Sequence, residues 1–185
     1  MTGTGSPQIL ATADHVQEAV VRIAQSVREK LTSLDKAAFI GIHTHGVPLA
    51  HRLKSLFHEC YGVEVPVGTV DITLYRDDYD LRGVKPRIQS SQIRFSVDGR
   101  ELVLVDDVLF TGRTIRAAIE SLGDYGRPSA IRLAVLADRG HRELPIQPDA
   151  VGMTFQTGKQ DRIRVRMVEV DGVDEILLIK GGLGT

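Results

Sequence analysis

Residues 102–116, Leu-Val-Leu-Val-Asp-Asp-Val-Leu-Phe-Thr-Gly-Arg-Thr-Ile-Arg, restrict the possible folds more than any other stretch of the chain. Leu102 to Val105 are four apolar residues in a row, without the alternation of a half-solvated strand, so both faces of this strand must be covered. After the polar turn, Ile115, Ala118, Ile119 and Leu122 mark one stripe of a helix that ends near residues 123–126. The same order of parts occurs upstream. An apolar run at 38–42 meets His43-Thr44-His45-Gly46, and then comes a stripe of Leu49, Leu53, Leu56 and Cys60, with Pro48 suited to the first helical turn. A further apolar strand is expected at 131–136. Strands alternating with helices imply parallel pairing, right-handed crossovers and a three-layer α/β domain.

Elsewhere the signals are weaker. Val16, Val20, Ile23, Val27, Leu31 and Leu34 predict an amphipathic helix over 14–34 capped by Asp14, with Arg22, Arg28 and Lys30 on its other face. A β-rich segment at 63–75 precedes a polar loop at 76–92 that contains Lys85 and Arg87, and loops this long are usually functional or disordered. Short strands are expected at 163–170 and 176–179, as a flap or sheet extension. The 185 residues, 42% of them hydrophobic, suit a single domain over 1–185, with flexible ends at 1–12 and 180–185.

Lys and Arg total 23 against 24 Asp and Glu, so the net charge of -1 gives no global attraction to nucleic acid or anionic membrane; an RNA site must be a local patch. Cys60 is the only cysteine, which excludes an internal disulfide and disfavours a cysteine-built metal site. The start does not have the order of a signal peptide, and no apolar stretch approaches the ~20 residues of a membrane span. A cytoplasmic location is expected.

A buried parallel strand delivers the residues after it to the carboxyl edge of the sheet, where open α/β folds bind ligands. Asp106 and Asp107 therefore belong at the rim of a pocket. At the start of the next helix, Thr111-Gly112-Arg113-Thr114 combines free backbone N–H groups, two hydroxyls and the positive end of a helix dipole, which suits a phosphate. The aspartates suit sugar hydroxyls or a hydrated Mg2+ instead. Together they imply a phosphorylated sugar. A lone Asp-Asp pair is more often just a polar turn, but the whole string argues otherwise. Neither the P-loop signature nor the dinucleotide glycine fingerprint is present.

The string Val105-Asp106-Asp107-Val108-Leu109-Phe110-Thr111-Gly112-Arg113-Thr114 resembles the phosphoribosyl pyrophosphate (PRPP) motif of type I phosphoribosyltransferases, and most closely that of the PyrR family. Further strings agree in order: Asp71-Ile72-Thr73-Leu74-Tyr75-Arg76-Asp77-Asp78, Gly126-Arg127-Pro128-Ser129, and Ala137-Asp138-Arg139-Gly140-His141-Arg142-Glu143-Leu144-Pro145-Ile146. The resemblance implies a parallel sheet flanked by helices, a flexible loop (here 76–92) and a small hood over the base. It also implies two activities. One is uridine-nucleotide-dependent binding of the pyrimidine operon mRNA leader, in response to UMP or UTP; the other is conversion of uracil and PRPP to UMP and pyrophosphate. Homodimers or larger homo-oligomers are implied, and no membrane partner.

Carried over by resemblance, Thr111, Gly112, Arg113 and Thr114 hold the 5-phosphate, Asp106 and Asp107 the ribose hydroxyls, and Val108, Leu109 and Phe110 complete the motif. Mg2+ is bound mainly through the substrate, near Asp106 and Asp107. Arg76 is a catalytic candidate that closes over pyrophosphate with Thr44 and His45. Phenylalanine at 110 stands where enzymes of this fold that use 6-oxopurines carry an aspartate, which favours a pyrimidine. Arg139 lies beside the base, and backbone groups near Ile163 read the uracil edge. Asp138 either shares that role or forms a structural ion pair with Arg139.

The chain departs from the pattern at several places. Thr44-His45-Gly46 replaces Thr-Arg-Gly, and histidine, with an ordinary pKa near ~6.5, lacks the permanent charge and paired donors of arginine. Weaker catalysis is expected. Val21 and Gln25 stand where the family presents threonine and histidine to RNA, and Gln147 and Met153 where it presents arginine and lysine. Arg22, Arg142 and the alternating Arg162, Arg164 and Arg166 remain as RNA candidates, against the simpler reading of a solvated edge strand. Two alternatives stay open: a UMP-responsive RNA regulator with negligible catalysis, and a uracil salvage enzyme with no RNA role.

Overall fold

A computed structural model of the chain describes residues 7–72 and 91–181. In chain order the elements are β1 (Gln8–Ala11), α1 (Ala13–Lys30), β2 (Ala37–Ile42), α2 (Gly46–Tyr61), β3 (Val67–Val70) and β4 (Glu101–Leu109). They continue with α3 (Arg113–Leu122), β5 (Ala130–Asp138), β6 (Ala150–Thr154), β7 (Arg162–Arg166), the single turn α4 (Val168–Asp171) and β8 (Glu175–Ile179). Five strands form a parallel sheet in the order β3-β2-β4-β5-β6, and β1-β8-β7 form a separate antiparallel sheet. The expected α/β architecture is therefore present, and β4 lies at its centre.

That position explains the unbroken apolar run. Val103 and Val105 face a core shared with Val20, Ile23, Leu53 and Phe57 of α1 and α2. Leu102 and Leu104, on the opposite face, pack with Ile115, Ala118 and Leu122 of α3. Burying a Val or Leu side chain contributes about 1.5–3 kcal/mol, so the two-sided cover of β4 anchors the sheet. Phe39 of β2 meets Phe57 of α2 edge-on at 5.1 Å between ring centres. The small sheet is tied to the first of these cores through Ala11, Val165 and Ile176.

Several expectations need correcting. β4 does not stop at Val105 but runs to Leu109, so the aspartates lie within the strand rather than after it. α1 spans Ala13–Lys30, and its N-cap is Thr12, whose backbone N–H donates to His15 Nδ1 at 3.3 Å, rather than Asp14. On α2, Phe57 is fully buried, while Cys60 is exposed. Ile119 is also exposed, and Ala117 takes its share of the inner face of α3. β6 was not anticipated. The strand expected over 163–170 ends at Arg166, where α4 begins a turn closed by Gly172 in the left-handed region.

Residues 8–11 are not a flexible end: they pair with β8, Ile9 opposite Leu177, and bury Ala11. Lys180 and Gly181 are likewise held, both by Asp161. Of the predicted loop over 76–92, all but the last two residues lies outside the described residues, and Arg76, Lys85 and Arg87 with it. The flanks of that segment are joined, since the Asp71 N–H donates to Ser91 Oγ at 3.0 Å and Thr69 bridges Gln92. Among the described residues no helix is long and apolar enough to cross a membrane.

Candidate active site

The carboxyl ends of β2 and β4 are side by side, with Gly41 opposite Val105. Asp106 is 4% exposed, and its Oδ1 accepts the Asp107 N–H at 3.0 Å, while Asp107 is partly buried. Residues 43–46, with a cis peptide between His43 and Thr44, cross beside this pair. Only glycine fits at 46, because an added Cβ would meet the Val105 carbonyl and lie 3.2 Å from the Asp106 Cα. This close approach sets His45 Nδ1 at 3.7 Å from Asp107 Oδ2. Thr44 is exposed at the crest of the same loop.

Past β4 the chain turns through Phe110 and Thr111 into α3. Gly112, with φ of 93°, is the N-cap and brings no capping side chain, so past the Arg113 N–H the start of the helix is open to an anion. Ile146 lies 3.3 Å from where a Gly112 Cβ would be, so the left-handed backbone and this cover both require glycine. Thr111 Oγ1 accepts the Arg113 N–H at 3.3 Å, and the Thr111 carbonyl accepts N–H groups of Glu143 and Leu144. Arg113 Nε donates to Glu143 at 3.0 Å, and this hydrogen bond is the main reason the Glu143 carboxyl lies below its ordinary range.

The third wall comes from β5. The Arg139 N–H donates to the Leu109 carbonyl at 3.1 Å, which places the guanidinium 4.0 Å from the centre of the Phe110 ring. His141 meets the same ring edge-on, and its Nε2 is 2.7 Å from the Thr157 carbonyl. Arg139 is 5% exposed and donates to the Gly158 carbonyl at 2.9 Å; burial lowers its pKa from the ordinary arginine value, opposed by Asp161. Asp161 accepts the Gly158 N–H at 2.8 Å and fixes the loop on which Arg139 rests.

Most sequence-predicted residues thus converge on one edge of the sheet: Thr44, His45, Asp106 and Asp107, then Phe110 to Thr114, with Arg139 over Phe110. Leu109 is buried in the α3 core, so its part in the site is its backbone, and Val108 packs partly into the opposite core. Ile163 is half-buried in β7, paired with Leu178. The ion pair between Asp138 and Arg139 weighed as an alternative does not form; Asp138 pairs with Arg142 at 2.6 Å.

The RNA candidates divide into two groups. Arg142 also donates to the carbonyls of Phe110, Gly140 and Ile146, so it braces its own loop. Arg166 pairs with Glu175 at 2.7 Å. Arg162 and Arg164 are exposed on β7, an edge strand, and Arg22 is exposed on α1 with a bond to the Gly152 carbonyl.

Four residues with a part in the site were not foreseen: Arg52, Glu169, Asp171 and Asp174. Asp171 Oδ2 is 2.8 Å from His45 Nε2, and Arg52 of α2 donates to both Glu169 and Asp174. The partners are separated by 117 to 126 residues in sequence, so no local pattern reveals them. The one available signal was an acid-rich turn closed by Gly172.

Residues 8–165 match the phosphoribosyl transferase domain. The Bifunctional protein PyrR of Chloroflexus aurantiacus is 47% identical over 177 residues, covering 96% of this chain and 97% of that protein. The chain belongs to the PyrR family. The Bifunctional protein PyrR of a Roseiflexus species, at 49% identity, covers 95% of this chain and 96% of its own length. PyrR membership agrees with the fold, since a hypoxanthine phosphoribosyltransferase of Staphylococcus aureus superposes with a TM-score of 0.67 over 94% of this chain and 92% of its own. At 15% identity that likeness concerns the fold alone.

Proposed function

We propose that the chain catalyses the reaction of uracil with PRPP to give UMP and pyrophosphate, and regulates pyrimidine genes by binding their mRNA leader in response to UMP or UTP. The observation that carries the catalytic half is a single juxtaposition. Two carboxylates, a helix N-terminus whose N-cap is glycine and the 43–46 loop meet at the carboxyl edge of one parallel sheet.

As the C1–oxygen bond to pyrophosphate breaks and the C1–nitrogen bond to uracil forms, positive charge builds on the ribose ring and negative charge on the leaving group. Asp106 and Asp107 hold the ribose hydroxyls and stabilise the first. The 5-phosphate is taken by backbone N–H groups and hydroxyls of residues 111–114, which fixes the ring against the carboxylates. His45 and Thr44 flank the departing pyrophosphate. Arg76 completes that group by resemblance. Phe110, backed by Arg139 and His141, forms a flat, apolar support beside the base.

Among the described residues no three His, Cys, Asp or Glu side chains group as a metal site. The two adjacent aspartates fit a Mg2+ that takes most of its ligands from substrate oxygens and water, and that would neutralise charge on the pyrophosphate.

The regulatory half draws on fewer residues. With Arg142 and Arg166 engaged inside the protein, Arg22, Arg162 and Arg164 are the exposed cations among the five RNA candidates. That favours, as a second reading, a salvage enzyme without an RNA role. A turnover assay with uracil and PRPP, run beside filter binding of the native pyrimidine leader at two salt concentrations, separates the two. Turnover with the leader held more tightly than a scrambled RNA supports both activities. Turnover with equal affinity for both RNAs leaves only the enzyme.

A further inference from the structure

The 43–46 loop is held from two sides. Gly46 seats it against the end of β4, and the turn α4 meets it from the other direction. Asp171 Oδ2 receives the Met167 N–H at 3.0 Å and approaches His45 Nε2 at 2.8 Å. Burial raises the Asp171 pKa, but the hydrogen bonds from Met167 and His45 outweigh it and the group lies below its ordinary value. A carboxylate can only accept, so Nε2 carries the proton and Nδ1 turns toward Asp107.

The turn is itself fastened. Arg52 Nε and Nη2 donate to the two Glu169 oxygens at 2.8 and 2.7 Å, and Nη1 and Nη2 to the two Asp174 oxygens at 2.9 and 2.8 Å. Asp174 Oδ1 in turn accepts the Val168 N–H at 2.8 Å. Arg166 adds a bond to the Asp171 carbonyl. An imidazole on a surface loop would otherwise rotate among its rotamers, and each such freedom must be removed before it can act in one geometry.

We propose that Asp171 is a positioning residue for phosphoribosyl transfer: it fixes the tautomer and direction of His45, and Arg52 fastens the α4 bracket that carries Asp171 to α2. The inference rests on the phosphoribosyltransferase reading of the site. It assigns to the turn α4, between the two C-terminal strands of the small sheet, a part in orienting the leaving-group side.

The test uses the full chain, with wild type, Asp171→Ala, Asp171→Asn, His45→Ala and the His45→Ala/Asp171→Ala double variant, each checked by circular dichroism. In the wild-type background Asp171→Ala is expected to lower kcat/KM for PRPP about tenfold, the scale of one charge-assisted hydrogen bond. In the His45→Ala background it should change that value less than about twofold. Asp171→Asn, which keeps an accepting oxygen, should recover most of the loss. Equal losses in both backgrounds would mean that Asp171 merely supports the Met167 backbone, and would overturn the proposal.

A readout independent of turnover is the long-range proton–nitrogen NMR spectrum of 15N-labelled protein at a fixed pH of 8. His45 should carry its proton on Nε2 in wild type and Asp171→Asn, and become a mixture of tautomers in Asp171→Ala. A His45 pattern unchanged in Asp171→Ala would refute the positioning role, whether or not the protein turns over uracil. The expected NMR change in a protein without turnover would instead count against the phosphoribosyltransferase reading alone.

Discussion

At residue scale, His45 is the most informative departure. It stands between two carboxylates, 3.7 Å from Asp107 and 2.8 Å from Asp171, where the family pattern places an arginine. Arginine would keep full charge at pH 8 and offer parallel donors both to Asp171 and to a phosphate. His45→Arg is therefore expected to raise the rate of UMP formation at pH 8 several-fold. Steady-state rates equal to or below wild type would count against the role of His45 at pyrophosphate. Phe110 and Arg139 were both named from sequence as base-side candidates and the structure stacks one on the other, whereas His141 was not foreseen. Arg139 and His141 reach it only because residues 157–158 supply carbonyls to both, and that loop was invisible to periodicity.

At element scale, the core of the parallel sheet was readable because burial on both faces leaves an unmistakable apolar run, as in Leu102 to Val105. The strand's continuation through Asp106 to Leu109 was not, since polar residues end a hydrophobic pattern without ending a hydrogen-bond ladder. β1 was missed for a related reason: four residues, of which Ala11 alone is buried, are too few to show a period. α4 depends on its acids. Arg52 is 16% exposed against 17% for Asp174, so the pair is sheltered enough to matter, while the half-exposed Glu169 adds less. Arg52→Ala is expected to cost about 2 kcal/mol and lower Tm by about 4–8 °C, with residual activity at reduced temperature. A melting temperature within a degree of wild type would show that α4 is held by its backbone alone.

At the scale of the whole molecule, the loop under Arg139 is closed onto the end of β8 by ionised groups whose sign sets how acid acts on the fold. Asp161 is lowered to about 2 by the hydrogen bond from Lys180, helped by N–H groups of Gly158 and Gly181 and opposed by burial. A depressed carboxyl stabilises the native state fully above its unfolded pKa near ~3.9, and that contribution is lost as pH falls through the folded value of about 2. The stability difference between wild type and Asp161→Asn in urea melts should be constant above pH ~4 and close as pH approaches 2. A gap still fully open at pH 2 would place the value of Asp161 elsewhere.

What the edge of the sheet does is addressed most directly by one enzymatic comparison. Formation of UMP from uracil and PRPP is followed for wild type and for Asp106→Asn/Asp107→Asn, with folding of both verified. Wild type is expected to turn over, and the double variant to lose turnover and bind PRPP more weakly. Equal rates in the two proteins would contradict a phosphoribosyl site built on Asp106 and Asp107.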